Sequence, residues 1–161
     1  MAENSTNSST EQQLVVFDLA HEAYGVDIGT VREIIRMQDV TSVPHRPDYV
    51  SGVINLRGRI TPVVDLRKRF NLPETEISRE SRIVVVDIDG QDIGMIVDAV
   101  TEVLRISSDQ IEPPSNMIAA GGSDYIVGIA KLESQLVLLL DLERVLTSAQ
   151  TESSPELLAA A

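Results

Sequence analysis

Few side chains in this sequence could carry out acid–base, nucleophilic or metal chemistry. The chain contains two histidines, His21 and His45, and no cysteine. A zinc site needs three or four ligands, and neither an HExxH motif nor a closely spaced histidine pair is present. His21 falls in a predicted turn and His45 in the proline-rich segment 43–47, so both are predicted to be exposed loop residues. No catalytic residue, metal site or cofactor is predicted.

Four aspartates are the remaining candidates for chemistry, because two carboxylates can act as a general acid and a general base. Asp18, Asp27, Asp87 and Asp98 lie at or near predicted strand ends in both halves of the chain. This repetition favours turn or cap roles over catalysis. A small enzyme would need an apolar pocket in which carboxylates with perturbed pKa values converge.

The most distinctive polar residues lie in the segment 52–66. It places Asn55, Arg57 and Arg59 at a predicted turn between two apolar strands. Strand alternation predicts that these three side chains share one face. They could form an ordinary solvated turn. Alternatively, Arg57 could be a fork-shaped donor to a carboxylate or carbonyl, within the chain or on a partner.

An internal duplication organises the chain. The aligned segments are 15–19 with 84–88, 24–26 with 93–95, 31–36 with 100–105, 50–53 with 126–129 and 60–66 with 136–142. The matches include Asp, Gly, Glu and Arg, which coincide by chance less readily than apolar residues. The repeat is far longer than a solenoid period, so it predicts two similar lobes.

The two copies differ where the first copy carries its polar turn. Lys131, Glu133 and Ser134 occupy the positions that match this turn, while the apolar scaffold around them is retained. A purely structural hairpin would need less of this asymmetry. The difference favours a functional role for Arg57 without excluding the structural one.

The predicted strands are short and are separated by turn residues. They cover 14–19, 23–28, 50–56 and 60–64 in the first copy and 83–88, 92–98, 100–106, 126–131 and 135–140 in the second. The segment 31–35 fits either a strand or a helical turn. Asp89 and Gly90 are typical of a type I′ hairpin turn.

Each copy ends in a predicted short helix, over 65–70 and 141–147, with Asp65 and Asp141 as N-cap candidates. Short strands at regular spacing indicate an all-β fold with short helices, either barrels or a sandwich. Aromatic residues make up 3% of the chain, so the predicted core is aliphatic. Copies of about 60 to 70 residues would be marginal alone, so we expect them to share a core.

The predicted organisation is a single domain between two tails. Residues 1–12 and 148–161 are polar and are predicted to be a disordered tail and a flexible tail. The domain covers 13–147, with lobes at roughly 13–80 and 81–147 that could be interleaved.

Charge and hydropathy narrow the classes of partner and location. The formal net charge is −12, which disfavours binding to nucleic acid or to an anionic membrane. Neither a signal peptide nor an apolar run of membrane-spanning length is apparent. We therefore expect a soluble cytoplasmic protein without direct membrane insertion.

The segment around Arg57 resembles the signature stretch of the CheW family of chemotaxis coupling proteins. The resemblance begins with Asn55, Leu56, Arg57 and Gly58 and continues through Ile60, Pro62 and 63–67. Supporting matches occur in family order at Phe17, Tyr24, Gly25, Val26, Ile28, Val31, Glu33, Ile34, Gly94, Val97, Asp98, Val100, Val103, Leu104, Gly128 and Leu142. It covers about residues 13 to 147.

The resemblance implies two SH3-like five-stranded β-barrels that pack around a shared core. It also implies a non-catalytic adaptor that couples transmembrane methyl-accepting chemoreceptors to the histidine kinase CheA, whose regulatory domain has this fold. The alternatives are a CheW-like module of a larger signalling protein, such as the CheA regulatory domain or a CheV-type protein, and the small carboxylate enzyme.

The resemblance also implies residue roles. Residues expected to line a groove for the cytoplasmic tip of the receptor, or else to be plain core residues, are Val31, Glu33, Ile34, Val103 and Leu104. Residues expected to form the signature turn are Gly52, Asn55, Arg57 and Gly58. Arg57 would lie close to either the receptor or the kinase. Ile83, Val85 and Met95 are further candidates for packing on the kinase.

Overall fold

The computed structural model describes residues 11–73, 76–114 and 125–147, most of which form β-strands. The strands are β1 (Glu11–Leu19), β2 (Glu22–Asp27), β3 (Val31–Arg36), β4 (Val50–Leu56), β5 (Arg59–Asp65), β6 (Arg82–Ile88), β7 (Gln91–Val97), β8 (Ala99–Ser107), β9 (Ile111–Glu112), β10 (Ile126–Lys131) and β11 (Leu136–Leu140). The helices are short: α1 (Leu66–Arg69), two 3₁₀ helices (Ile28–Thr30 and Ser108–Gln110) and a π-helix (Glu143–Thr147). The all-β prediction is therefore confirmed.

The strands form two sheets. The six-stranded sheet has the order β9-β10-β11-β2-β1-β8, and the five-stranded sheet has the order β3-β6-β7-β5-β4. Neighbouring strands are antiparallel except for β11 with β2 and β5 with β7, which are parallel. Each parallel pair joins a strand of one repeat to a strand of the other.

Each sheet closes on itself. After β3 the chain reaches the opposite edge, where Thr41 and Val53 of β4 exchange backbone hydrogen bonds of 2.8 and 2.9 Å. In the other sheet only the helix Ser108–Gln110 separates the edge strands β8 and β9, so they form one bent segment. Both sheets are thus five-stranded barrels when that segment is counted once.

The repeats exchange strands, which corrects the simple division into lobes at 13–80 and 81–147. One barrel takes β1 and β2 from the first repeat and β8 to β11 from the second; the other takes β3 to β5 and β6 to β7. The strands of the two repeats are thus interleaved between the barrels, an arrangement that the sequence left open. Glu11 and Gln12, predicted to belong to the tail, lie in β1, and the rest of both predicted tails lies outside the described residues.

The central strands are buried on both faces, so they read as continuous apolar runs. On β1, Leu14 and Val16 face the interior of one barrel, while Val15, Phe17 and Leu19 face a core shared by both barrels. Strand β6 repeats this arrangement, with Ile83 and Val85 inside its own barrel and Val84 and Val86 in the shared core. A shared core satisfies the expectation that neither repeat is large enough to fold alone.

The five aromatic residues of the chain gather at the junction of the barrels. Phe17 stacks on Tyr24, Tyr24 contacts Phe70, and Phe70 stacks on Tyr125 with ring centroids 4.7 Å apart. The guanidinium carbon of Arg69 lies 5.3 Å from the centre of the Tyr49 ring. The core is otherwise aliphatic, as the composition predicts.

The local signals in the sequence describe the turns and caps well. Asp89 and Gly90 have φ angles of 52° and 83°, as a type I′ turn requires. Asp65 caps α1 by accepting from the backbone N–H of Arg67 at 3.0 Å. The ambiguous segment 31–35 is a strand, because β3 pairs with β6.

Candidate functional site

The β4–β5 hairpin ends in a two-residue turn formed by Arg57 and Gly58. Their φ angles are 53° and 83°, so both adopt the left-handed conformation that fits the twist of a hairpin. This conformation is unfavourable for arginine. The side-chain Oδ1 of Asn55 accepts a hydrogen bond from the Gly58 N–H at 2.7 Å, which helps to hold the turn. Arg57 is therefore presented at the tip by a fixed backbone.

The guanidinium of Arg57 forms a bidentate ion pair with Glu33 of β3. Nη1 and Nη2 donate to the two carboxylate oxygens at 2.5 and 2.6 Å. The hydrogen bond from Arg57 has the largest effect on the pKa of Glu33 and lowers it; desolvation opposes this lowering, and the positive charge of Arg57 adds to it. The Arg57 side chain is still 71% exposed, so its remaining N–H groups face solvent. The pair orients a cation that a partner can reach.

The prediction that Asn55, Arg57 and Arg59 share one face is wrong. Leu56 pairs with Arg59 and Asn55 with Ile60, so Asn55 and Arg59 project from opposite faces. The two-residue turn inverts the alternation that a continuous strand would have. Arg59 lies near Asp92, with 3.9 Å between Nη1 and Oδ2.

Gly52 supports the closure of the barrel rather than the turn itself. Its φ is +148°, and a Cβ at this position would lie 2.0 Å from the backbone oxygen of Thr41. Thr41 is the residue that closes the barrel against Val53. Only glycine lets these two backbones approach so closely.

The predicted groove residues divide into exposed and packed positions. Ile34 on β3 and Val103 on β8 are 39% and 51% exposed, and they are equivalent positions of the two repeats. Val31 is half-buried against the shared core, and Leu104 is half-buried against the interior of its barrel. Val31 and Leu104 therefore serve packing, whereas Ile34 and Val103 present apolar surface.

Three further candidates cannot contact a partner. Ile83, Val85 and Met95, which were predicted to pack on a kinase, are all fully buried. Ile83 and Val85 fill the interior of one barrel, and Met95 lies in the shared core. Their apolar character reflects strands with two buried faces.

Two exposed apolar residues were not predicted as part of a site. Ile60 and Leu136 are 71% and 58% exposed, and they match each other in the repeats. Ile60 pairs with Asn55 and is two residues from the Arg57–Gly58 turn. The sequence signal was ambiguous, because each residue lies near the start of a strand whose later residues are largely buried.

Asp27 and Asp87 act as cap and turn residues, and the two histidines are exposed. Asp27 caps the helix Ile28–Thr30, and Asp87 accepts from the Gly90 N–H at 2.9 Å. His21 and His45 lie in exposed positions with positive φ.

Asp98 fastens the two barrels together. It accepts from the Ala20 N–H at 2.9 Å and from Arg67 Nε and Nη2 at 2.8 and 2.5 Å. Burial alone would raise the pKa of Asp98, but the hydrogen bonds from Arg67 and Ala20 and the charges of Arg67 and His21 outweigh it, so the pKa is lowered. Desolvation, and then the charge of Asp98, raises the pKa of neighbouring Asp18.

The described residues offer no cluster of three His, Cys, Asp or Glu side chains arranged to hold a metal ion. Within the same part of the chain, no helix combines the length and the apolar character needed to cross a bilayer.

Comparison with known proteins places these features in a family. Residues 13–150 match the CheW-like domain. The chain is 33% identical over 144 residues to the chemotaxis protein CheW of Treponema pallidum, covering 87% of this chain and 85% of that protein. It is 35% identical over 145 residues to the chemotaxis protein CheW of Bacillus subtilis, covering 90% and 93%.

A solved structure agrees with the fold. The crystal structure of the scaffolding protein TtCheW from Thermoanaerobacter tengcongensis superposes with a TM-score of 0.77 at 39% sequence identity, covering 84% of this chain and 92% of that chain. The family match over most of the chain, together with these relatives, shows that the chain belongs to the CheW family.

Proposed function

We propose that this protein is a non-catalytic chemotaxis scaffold that couples chemoreceptors to a histidine kinase. It would bind the kinase through the regulatory domain and the receptor through its cytoplasmic tip. The protein would then act at the cytoplasmic face of the membrane, held there by the receptors. Membership of the CheW family supports this proposal, together with the names of its relatives, chemotaxis and scaffolding proteins.

The exposed ion pair of Arg57 and Glu33 is the observation that carries the proposal. A scaffold needs a recognition group whose position is set before the partner arrives, because a preorganised side chain loses less entropy on binding. Two hydrogen bonds to Glu33 fix the Arg57 guanidinium while leaving most of it in solvent. Arginine in this state can donate to a carboxylate or carbonyl on a partner.

The apolar part of the proposed surface is small and distributed over both barrels. Ile34 lies next to Glu33 on β3, and Val103 is its equivalent on β8. An amphipathic receptor helix can dock on such spaced apolar residues with polar groups at their rim. We assign the receptor contact to Ile34 and Val103, while Val31 and Leu104 pack into the cores of the protein.

The proposal is tested by measuring the affinity of the full chain for the kinase regulatory domain and for a receptor tip fragment. Arg57→Glu should weaken at least one of these complexes by about tenfold or more, the cost of losing a charged contact and facing a repulsive one. Lys131→Glu is the matched control, because it makes the same charge change at the equivalent hairpin of the other barrel. It should leave both affinities near the wild-type values.

The double variant Arg57→Glu with Glu33→Arg separates two roles of the pair. If Arg57 contacts the partner, reversing the pair restores the internal ion pair but does not restore binding. Wild-type affinity in Arg57→Glu with an unchanged thermal midpoint would contradict the proposal.

A further inference from the structure

A depression of about 400 Å³ beside the end of β3 is strongly basic, although the protein as a whole is acidic. It is lined by Arg36, Met37, Ser78, Arg79, Ser81 and Arg82. The described lining contains three guanidinium groups and no Asp or Glu. It shares no residue with the turn at Arg57 or with the apolar surface assigned to the receptor.

Two of the arginines lie opposite each other in the sheet. Arg36 of β3 and Arg82 of β6 are direct partners in the antiparallel ladder. Side chains at such positions lie on the same face about 5 Å apart at Cβ, and like charges there are destabilising. Among the residues that the structure describes, no carboxylate oxygen lies within 4.0 Å of the nitrogens of Arg36, Arg79 or Arg82.

Arg82 is nevertheless held in a defined position. Its Nη1 donates to the backbone oxygens of Arg79 and Ser81 at 2.7 and 2.8 Å. The other nitrogens of that guanidinium keep N–H donors for a further acceptor. The same hydrogen bonds tie the segment that carries Arg79 to the start of β6.

Both serines of the lining accept a backbone hydrogen bond. Ser81 Oγ accepts from the Ser78 N–H at 3.0 Å, and Ser78 Oγ accepts from the Glu80 N–H at 3.1 Å. A hydroxyl has one proton to donate, and these backbone contacts do not use it. The depression therefore combines guanidinium and hydroxyl donors, and its described lining contains no carboxylate.

We propose that this depression binds a phosphate-type oxyanion. A phosphate group carries up to two negative charges and only acceptor oxygens, which complements three guanidinium groups and two hydroxyls. Placed between Arg36 and Arg82, it would convert their repulsion into attraction to a common anion. Free phosphate and a phosphoryl group carried by a small molecule share this chemistry.

The test is a titration of the full chain with inorganic phosphate at constant ionic strength, followed by ¹H–¹⁵N NMR. Amide signals of Ser78, Arg79 and Arg82 should shift in a saturable manner. Arg36→Gln should weaken the affinity about tenfold, the effect of losing one charged hydrogen-bonding group. Competition by O-phosphoserine at the same amides would extend the site to phosphoryl groups on a carrier, and its failure would restrict the site to the free anion.

The matched control is Arg105→Gln. Arg105 occupies the position equivalent to Arg36 in the other repeat, and its nearest carboxylate partner is Glu11 at 3.9 Å. It makes the same charge change outside the depression, so the affinity for phosphate should stay at the wild-type value.

A thermal measurement gives an independent readout. Phosphate should raise the thermal midpoint of the wild type and of Arg105→Gln but not that of Arg36→Gln, because a ligand stabilises only the state that binds it. In chloride alone, Arg36→Gln should not lower the midpoint, since it removes a repulsion. The absence of saturable shifts, or equal affinities in Arg36→Gln and Arg105→Gln, would overturn the proposal.

Discussion

At the scale of single residues, Arg57 joins an unfavourable backbone conformation to a fixed side chain. The segment 52–66 indicated that Arg57 was special, and the comparison of the repeats favoured a functional role. The partner Glu33 could not be predicted as such, because it lies 24 residues away on a strand of uncertain type. The sequence analysis named Glu33 as a groove residue, which stays a prediction, and it did not anticipate the ion pair with Arg57.

The Asp98–Arg67 pair makes stability depend on pH. The pKa of Asp98 is lowered in the folded state, which means that the folded protein stabilises the ionised carboxylate more than the unfolded chain does. The contribution of this pair to the free energy of unfolding is therefore fully present above the pKa that Asp98 has in the unfolded chain. It is lost as the pH falls through the lower pKa that Asp98 has in the folded protein. Asp98→Asn should reduce the free energy of unfolding at neutral pH by about 1–2 kcal/mol, since the pair is partly solvated.

Urea unfolding at several pH values checks this prediction. The difference between the wild type and Asp98→Asn should shrink as the pH falls below the usual range of an aspartate pKa. Asp39→Asn, which changes an exposed carboxylate in the same way, should follow the wild-type pH dependence. A difference for Asp98→Asn that stays constant down to low pH would contradict the role of its charge.

At the scale of elements, the closure of the barrel depends on one close backbone approach. Gly52→Ala would place a Cβ against the Thr41 carbonyl, and neither backbone can retreat without opening the barrel. We expect a loss of more than about 3 kcal/mol in the free energy of unfolding.

Gly58→Ala is the matched control for barrel closure. Gly58 also has a positive φ, but a Cβ there would meet no atom within 4 Å. The cost should be only the left-handed strain of about 1 kcal/mol. Similar losses for Gly52→Ala and Gly58→Ala, measured by chemical denaturation, would show that the contact with Thr41 is unimportant.

The edge strands β3 and β8 carry the apolar contacts assigned to the receptor. Ile34→Asp and Val103→Asp should each weaken binding of a receptor tip fragment about tenfold, because each places a charge on an apolar contact. Surface exposure of both positions means that the thermal midpoint should change little.

Val127→Asp provides the control, since Val127 is 48% exposed on β10 and was not assigned to the receptor surface. It should leave receptor binding unchanged. If Ile34→Asp abolished kinase binding and spared receptor binding, the assignment of this surface to the receptor would be wrong.

The elements were largely predictable because their signals are local. Period-two alternation, the Asp89–Gly90 turn and the Asp65 cap depend on neighbouring residues. The shared face of Asn55 and Arg59 was not predictable, because a change in turn length by one residue reverses it. Ala20 and His21 both have positive φ. The sequence predicted a turn there but not this conformation, because neither residue is a glycine.

At the scale of the whole molecule, strand exchange makes the two barrels depend on each other. Each barrel contains strands from both repeats, and the shared core draws on both. The sequence could reveal the duplication but not the exchange, because pairing within a repeat and pairing between repeats bury equivalent residues. The interleaved order depends on pairing between strands that are far apart in the sequence.

Unfolding should therefore be a single cooperative transition. Phe70 contacts Tyr24 and Tyr125 and lies at the junction of the barrels, so Phe70→Ala should lower the free energy of unfolding by about 2–3 kcal/mol. Far-ultraviolet circular dichroism and tyrosine fluorescence should report the same midpoint in the wild type and in the variant. Two separated transitions would contradict the interdependence of the barrels.

The most direct test of the scaffold function is reconstitution of the coupled complex. Receptor-containing membranes, the kinase and the full chain are mixed and sedimented, and the kinase in the pellet is quantified. The kinase should sediment with receptors when the wild-type chain is present, and much less with Arg57→Glu, while Lys131→Glu should match the wild type. Equal recovery of the kinase with and without the chain would contradict the scaffold function.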